Sequence, residues 1–280
     1  MKINENTAVY TPKILLVPYS KHHVPRYHEW MQNEDLRKAT ASELLTLDEE
    51  YSMQRSWRED TDKLTFIACL PPAFAPNASL KAQEHDGPDR MIGDVNLFLR
   101  DYEDEDEEGE GKDEEMDTED INEGQADADE DMDDDTEPET DDDIEILDDT
   151  NDTPKTLIGE LELMIASPTH RGQHLGLNVL LTFLYYTFTN LLPLLSEYSP
   201  SSPSTSLQYL RVKIDKDNTP SIKLFEKVGF VRTKREPNYF GEVELRLGFE
   251  GKDDEEMAEW VRKMLEGVSG VKEPNTLVYT

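Results

Sequence analysis

The alternation of residues 158–165 is the clearest pattern in this chain, because Glu160 and Glu162 alternate there with Leu161 and Leu163. A period of two predicts a strand with the carboxylates on one face and the leucines on the other. Apolar runs predict further strands at residues 14–17, 65–70, 91–99, 207–214 and 243–249. Apolar spacing and start signals predict helices within residues 22–31 and 36–60, and at 175–195, 218–229 and 257–265.

Residues 101–153 separate two of these strands and carry 31 acidic residues against one lysine, Lys112. The other 227 residues carry 32 acidic and 27 basic ones, so most of the net charge of -35 lies in this segment. Carboxylates that repel one another cannot form a core, and we predict a disordered insert in the turn of a hairpin formed by residues 91–99 and 157–165. The insert is either a solvated spacer or a segment that contacts basic proteins.

The rest of the chain has the size and composition of one domain. Residues 71–90 and 196–206, which are rich in proline and small or polar residues, are predicted to be a flexible loop and a linker. Residues 175–195 are long enough to cross a membrane, but Asn178, Thr182, Asn190 and Pro193 interrupt them, so we predict a core helix instead.

The single cysteine, Cys69, permits no intrachain disulfide, and residues 1–13 lack the apolar core of a signal peptide. We therefore expect a cytoplasmic or nuclear protein that binds no membrane, no nucleic acid and no metal.

Residues 165–176 predict an anion-binding loop between a strand and a helix. Arg171 and Gly172 lie in the loop, and the helix begins near Leu175, where its first amides lack intrahelical partners and its dipole attracts an anion. In a plainer interpretation, Arg171 is a solvated surface charge, and Gly172 and Gly176 only allow close packing.

This loop, RGQHLG, is followed by NTPSIKLFEKVGF at residues 218–230, and the pair resembles two motifs of the GNAT superfamily of acetyl-CoA-dependent N-acetyltransferases. Residues 1–70, 91–100 and 157–249 resemble its N-acetyltransferase-nine-like branch. The resemblance implies an α/β (α+β) fold, with a mixed, mostly antiparallel sheet flanked by helices and coenzyme A between splayed strands. It also implies acetyl transfer to protein α-amino groups, with tubulin N-termini as suggested substrates.

The resemblance and the acidic composition of residues 101–153 together divide the chain into four parts. Residues 1–100 and 154–250 form the acetyltransferase domain, residues 101–153 are the acidic insert, and residues 251–280 are a tail with a short helix.

The resemblance also implies which residues hold the coenzyme, and it places them at the strand end, in the loop and at the second motif. They are Met164, Ile165, Ala166, Arg171, Gly172, Gln173, His174, Leu175, Gly176, Asn218 and Ser221. An amide near residues 164–166 is expected to polarise the acetyl carbonyl. His174 stands where the superfamily has a glycine, and Asn218 either lies beside the coenzyme or only caps its helix.

N-acetylation needs an amine without its extra proton, so a carboxylate or an ordered water is expected as general base. Glu160 and Glu162 are the candidates, and the alternative is that they form the exposed face of an antiparallel pair. Phe225 stands where many relatives have the tyrosine that protonates the thiolate, so a bound water or Tyr239 does so, or the thiolate leaves without an acid. His174 and Phe225 favour the rival function, a non-catalytic GNAT-fold module that binds microtubules or basic partners.

Overall fold

The strands that the structure describes form one sheet. They are β1 (Thr7–Tyr10), β2 (Leu15–Pro18), β3 (Lys63–Cys69), β4 (Met91–Asp101), β5 (Thr156–Ile165), β6 (Ser206–Asp215), β7 (Val231–Arg232), β8 (Glu242–Gly248) and β9 (Asn275–Val278). The computed structural model describes residues 1–73, 80–102, 154–202, 204–249 and 251–280. The strand order is β7-β8-β6-β5-β4-β3-β2-β1-β9, and every neighbouring pair is antiparallel except β5 and β6. The predicted mixed, mostly antiparallel sheet is confirmed.

Helices cover both faces of this sheet. They are α1 (Val24–Met31), α2 (Glu34–Ala39), α3 (Leu47–Glu59), α4 (Leu175–Thr189), α5 (Leu191–Tyr198), α6 (Thr219–Lys227) and α7 (Asp254–Ser269). On one face, α4 and α7 share a core with Val95, Leu97 and Leu161. On the other face, α1 and α3 pack in a second core with Ile67 and Met164. The alternation of β4 and β5 sends their apolar residues toward α4 and their carboxylates toward α1 and α3.

The helix predicted at residues 175–195 is broken at Asn190, where α4 and α5 meet at 74°. The side chain of Asn190 donates to the carbonyl of Tyr186 (2.8 Å). Pro193 has no amide proton with which to continue the helical ladder. In the described part of the chain, no single helix is long and apolar enough to span a membrane, and α4 and α5 reach that length and composition only as a bent pair.

Strands β5 and β6 separate part of the way along their length. Their parallel pairing ends at Glu160 and Arg211. Beyond this point β5 continues to Ile165 beside β4, and β6 continues to Asp215 beside β8. The two strands therefore splay and leave a gap in the middle of the sheet, as expected from the sequence.

The predicted hairpin is confirmed, because β4 and β5 pair antiparallel up to Asp101 and Leu157. Tyr102 donates its amide to the carbonyl of Thr156 (2.9 Å) just beyond the last pair. The predicted disorder of residues 101–153 falls almost wholly on residues 103–153, which lie outside the described residues.

Two segments predicted to be peripheral contribute to the core instead. Leu80 and Asp86, which belong to the predicted flexible loop, are both fully buried. In the predicted tail, α7 packs on the core and β9 adds an edge strand beside β1. Tyr279 follows β9, forms a bridge with Leu80, and donates its hydroxyl to Asp86. The loop and the tail contact each other, so both are ordered by contacts between residues that are distant in sequence.

Candidate active site

Two clefts open on the gap between β5 and β6. The loop-side cleft lies at the end of β5, and the predicted residues that line it are Met164, Ile165, Ala166, Arg171, Gly172, His174, Leu175, Gly176, Asn218 and Ser221. The acidic cleft lies on the α1 and α3 side of the sheet, and its lining includes Glu50, Asp94, Asn96, Glu160 and Glu162. Met164, Asn218 and Ser221 line both. The two clefts therefore meet beside Met164.

The loop before α4 turns through two left-handed residues, Gly172 (φ 72°) and His174 (φ 59°). A side chain costs about 1–2 kcal/mol in this conformation, so His174 keeps a glycine-like turn at that cost. Its carbonyl accepts from the amide of Asn178 (3.1 Å) as the first helical bond. The amides from Leu175 onward form a helix N-terminus that can hold an anion. Gln173 instead bonds the carbonyl of Thr169 (2.5 Å) and does not line either cleft.

Arg171 folds back onto the end of β5. Its Nε donates to the carbonyl of Ile165 (2.8 Å) and its Nη2 to the carbonyl of Ala166 (3.1 Å). The guanidinium thereby ties the loop to the strand and brings a positive charge to the loop-side cleft. The side chain is nonetheless exposed, as the plainer interpretation expects.

The backbone of β5 offers different amides to the gap from those expected. The amide of Ala166 donates to the carbonyl of Ile92 (2.8 Å) and is therefore engaged on the β4 side. Alternate residues of an antiparallel strand point their amides to opposite sides, so Met164 also faces β4. Leu163 and Ile165 direct their amides toward the gap. Of the expected residues 164–166, only Ile165 has an amide suited to polarise a carbonyl there.

Gly93 lines neither cleft, but it supports the site from β4, and this role was not predicted from the sequence. A Cβ atom at this position would lie 1.8 Å from the carbonyl oxygen of Met164. Only glycine lets β4 approach β5 so closely, and Gly93 thereby sets the position of Met164. An isolated glycine inside an apolar strand pattern was the available signal.

Helix α6 brings the second motif to the gap. The side chain of Asn218 accepts from the amide of Ser221 (3.3 Å), so the capping alternative is observed while Asn218 also lines both clefts. Phe225 is buried and packs its ring on Phe230 at a centroid distance of 5.2 Å. Tyr239 is 97% exposed and lines neither cleft. The structure does not bring Tyr239 to the site, so two of the predicted alternatives stay open: a bound water as the proton donor, or departure of the thiolate without an acid.

Glu160 lines the acidic cleft, but an ion pair engages its carboxylate. Arg211 donates to Glu160 Oε2 from both Nε and Nη2 at 2.8 Å, and the arginine side chain is 2% exposed. Burial raises the pKa of Glu160, but the buried guanidinium of Arg211 engages the carboxylate oxygen that would otherwise accept a proton. The geometry makes Glu160 a structural anchor where the strands separate.

Glu162 is open to the acidic cleft, two residues along β5 from Met164. The cleft walls exclude much of the surrounding water, and the carboxylates of Asp94 and Glu160 repel a further charge. Together these effects raise the pKa of Glu162 to about 7. A carboxylate with this pKa is well matched to accept a proton near neutral pH.

Further carboxylates lie behind Glu162. Asp94 is 2% exposed and accepts from Asn96 Nδ2 (3.0 Å) and the Tyr27 hydroxyl (3.4 Å), while burial raises its pKa to about 6. Glu50 comes from α3, is 1% exposed, and has its pKa raised to about 7 by burial. The charges of Asp94, Glu50 and Glu162 all act on the Tyr27 phenol, whose pKa burial raises first and these carboxylates raise further. The four side chains form one cluster.

A splayed mixed sheet, a helix N-terminus at the gap and a carboxylate of raised pKa in the adjoining cleft are the arrangement of an acetyltransferase of the GNAT type. The acetyltransferase (GNAT) domain family matches residues 143–231 of the chain. The protein is an acetyl-CoA-dependent acyltransferase. The alternative of a non-catalytic module is therefore not favoured.

Relatives narrow the class to one family. An N-acetyltransferase 9-like protein of Schizosaccharomyces pombe is 39% identical over 88% of this chain and 98% of its own length. The alpha/beta-tubulin-N-acetyltransferase 9 of Drosophila melanogaster is 36% identical over 88% of each chain. The chain belongs to the N-acetyltransferase 9-like family. Among solved structures, spermidine N-acetyltransferase from Vibrio cholerae in complex with CoA and spermine is similar over 84% of this chain and 94% of that chain, with 14% identity and a TM-score of 0.48.

Proposed function

We propose that this protein acetylates the α-amino group of a protein substrate, and that tubulin N-termini are its substrates. The observation that carries the proposal is the junction of the two clefts at Met164, with Glu162 on the acidic side. The names of the relatives supply the candidate substrate, since those of fly and human are called alpha/beta-tubulin N-acetyltransferases.

The loop-side cleft suits acetyl-CoA. The amides at the start of α4 and the charge of Arg171 suit its phosphates, and the amides of Leu163 and Ile165 suit the acetyl carbonyl. The thioester would then lie where the clefts meet.

The reaction is one acyl transfer. The neutral amine attacks the thioester carbon, a C–N bond forms and the C–S bond breaks. Glu162 accepts the amine proton directly or through one water. The thiolate of coenzyme A leaves and takes a proton from water, because Phe225 has none to give.

The acidic cleft can hold a peptide as well as a small amine. Its rim is formed by the segment between α2 and α3 on one side and by the loop before β8 on the other. Phe240 lines this rim and is 80% exposed. A cleft with these two sides and an exposed aromatic side chain can hold several residues of an extended chain.

Coenzyme binding is tested first, by calorimetry with acetyl-CoA on the wild type and Arg171→Ala. We expect the affinity to fall about 10- to 100-fold, since a charged hydrogen-bonding group is lost. An unchanged affinity at an unchanged melting temperature would contradict the assignment of the loop-side cleft.

The acceptor is tested with peptides that carry the amino-terminal sequences of α- and β-tubulin and an added internal lysine. We expect tandem mass spectrometry to locate the acetyl group on the α-amine and to find none when the α-amine is blocked. Acetylation of the internal lysine in the blocked peptide would contradict the proposal.

A further inference from the structure

The buried carboxylates behind Glu162 lack the donors that a closed core would give them. Among the described residues, Glu50 Oε2, Asp94 Oδ1 and Asn96 Oδ1 have no hydrogen-bond partner. Glu50 and Asp94 are 1% and 2% exposed, and both line the acidic cleft. A buried carboxylate oxygen without a donor is costly for the fold, and a ligand that enters the cleft can supply donors to these three oxygens.

No basic side chain in the described part of the chain forms an ion pair with Asp94 or Glu162. His28 Nδ1 lies 3.8 Å from Glu50 Oε1, which is beyond hydrogen-bond distance. Glu160 differs, because Arg211 already holds it. The lining of the cleft as a whole includes seven carboxylates and two lysines. Acidic residues therefore outnumber basic ones in the lining of the cleft.

We propose that Glu50 and Asp94 bind a cationic side chain that lies next to the reacting amine of the substrate. This inference rests on the proposed function and adds its specificity: the preferred peptide has an arginine or lysine close to its amino terminus. Glu162 is left to accept the proton.

The number of acceptors favours a guanidinium. Its five N–H donors match the open oxygens of Glu50, Asp94 and Asn96. Rotation about the last bond of each carboxylate exchanges its two oxygens, so both carboxylates can present an acceptor to the cleft. The position is also suitable, because Asp94 pairs with Met164 in the sheet and thus lies beside the meeting point of the clefts.

The test compares two peptides that differ only at the second residue, which is arginine or its uncharged isostere citrulline. We expect wild-type kcat/KM to be roughly tenfold or more higher for the arginine peptide, mainly through KM, since a charged hydrogen bond is lost in the citrulline peptide. In Glu50→Gln this preference falls below about threefold, because the amide keeps the shape and removes the charge. Asp94→Asn acts in the same direction.

The matched control is Glu59→Gln, which makes the same change at an exposed residue of α3 that does not line the cleft. It keeps the arginine preference. Melting temperature and acetyl-CoA affinity show that each variant is folded.

Equal kcat/KM for the two peptides, or a preference that survives both Glu50→Gln and Asp94→Asn, would overturn the subsite while the proposed acetylation of α-amines stands. If the folded wild type binds acetyl-CoA and acetylates neither peptide, the proposed function fails and the subsite fails with it.

Discussion

Two buried aspartates of this protein, Asp86 and Asp94, have opposite surroundings. Asp86 accepts from the Nε2 atoms of His22 and His23 at 3.0 Å and from the Tyr279 hydroxyl, and its other oxygen accepts from the Gln83 amide (2.6 Å). Despite burial, these donors hold the pKa of Asp86 well below its usual range.

Asp94 is buried to the same degree but accepts only from Asn96 and, at 3.4 Å, from Tyr27. Burial then prevails and raises the pKa of Asp94 to about 6. The difference is one of donors, since both groups are shielded from water. A carboxylate with all its donors inside the fold supports the structure, whereas one without them is available to a ligand.

The tautomer of His23 supports the structural role of Asp86. His23 Nδ1 accepts from the amide of Ser20 (3.0 Å), so the proton of the neutral ring lies on Nε2 and points at Asp86. His22, His23 and Asp86 are close enough to share a metal ion. In this tautomer, however, His23 is a donor to the carboxylate and has no lone pair to offer at Nε2.

The largest effect is expected at Glu162, the proposed base in the cluster that it forms with Tyr27, Glu50 and Asp94. Glu162→Gln should lower kcat by about 100- to 10,000-fold, the usual range for a general base, and leave acetyl-CoA affinity unchanged. Since the base acts only when deprotonated, wild-type kcat/KM should fall as the pH drops below the Glu162 pKa of about 7. Stopped assays between pH 5.5 and 8.5 on both proteins check this, and a variant that retains both its activity and the wild-type pH profile would rule out Glu162.

The Asp86→Ala change should lower the free energy of unfolding by about 3–5 kcal/mol. It leaves two histidines, a tyrosine and an amide without their acceptor. Denaturant unfolding at pH 7 measures the loss. Asp89→Ala, three residues away and exposed, is the control and should stay within about 0.5 kcal/mol of the wild type. Similar losses in the two variants would break the contrast between Asp86 and Asp94.

The smallest effect has the opposite sign. Burial raises the pKa of Glu50 in the folded state to about 7, so its protonated form favours folding at low pH and its charged form opposes folding above that pKa. Glu50→Gln removes the charge and should raise the free energy of unfolding by about 1–2 kcal/mol at pH 8, with the gain lost near pH 5. Urea unfolding at the two pH values measures it, and destabilisation at pH 8 would mean that the fold itself satisfies Glu50.

The coenzyme half of the site could be predicted because it is continuous in sequence. Strand end, loop and helix start follow one another within residues 165–176, and each has a local signature of alternation, glycine or apolar spacing. Even there, local reasoning could not tell which amides face the gap, since this depends on the pairing of Ala166 with Ile92.

The acceptor half could be predicted only in part, because it is assembled from distant segments. Glu162 was predicted from alternation, but Glu50 was not predicted to lie near it. A signal was present: Glu50, Met53, Gln54 and Trp57 lie on one face of α3 at spacings of three and four, so a carboxylate falls on the packed face of the helix. Strand β1 and the edge strand β9 were missed because each is only four residues long and forms through its partner.

The end of the β4–β5 hairpin is a place where the chain could be divided. Asp101 is fastened there by Lys155 (3.0 Å) and by the Tyr198 hydroxyl (3.1 Å), so the two strand ends are held together by described residues alone. The pairing of β4 with β5 sets the register of β5 and the position of the site, and this pairing lies on the sheet side of the Asp101 contacts. New termini could thus be opened between Tyr102 and Pro154 and the two pieces expressed as separate chains that reassemble, and whole protein modules could be spliced in at the same point without moving a catalytic atom.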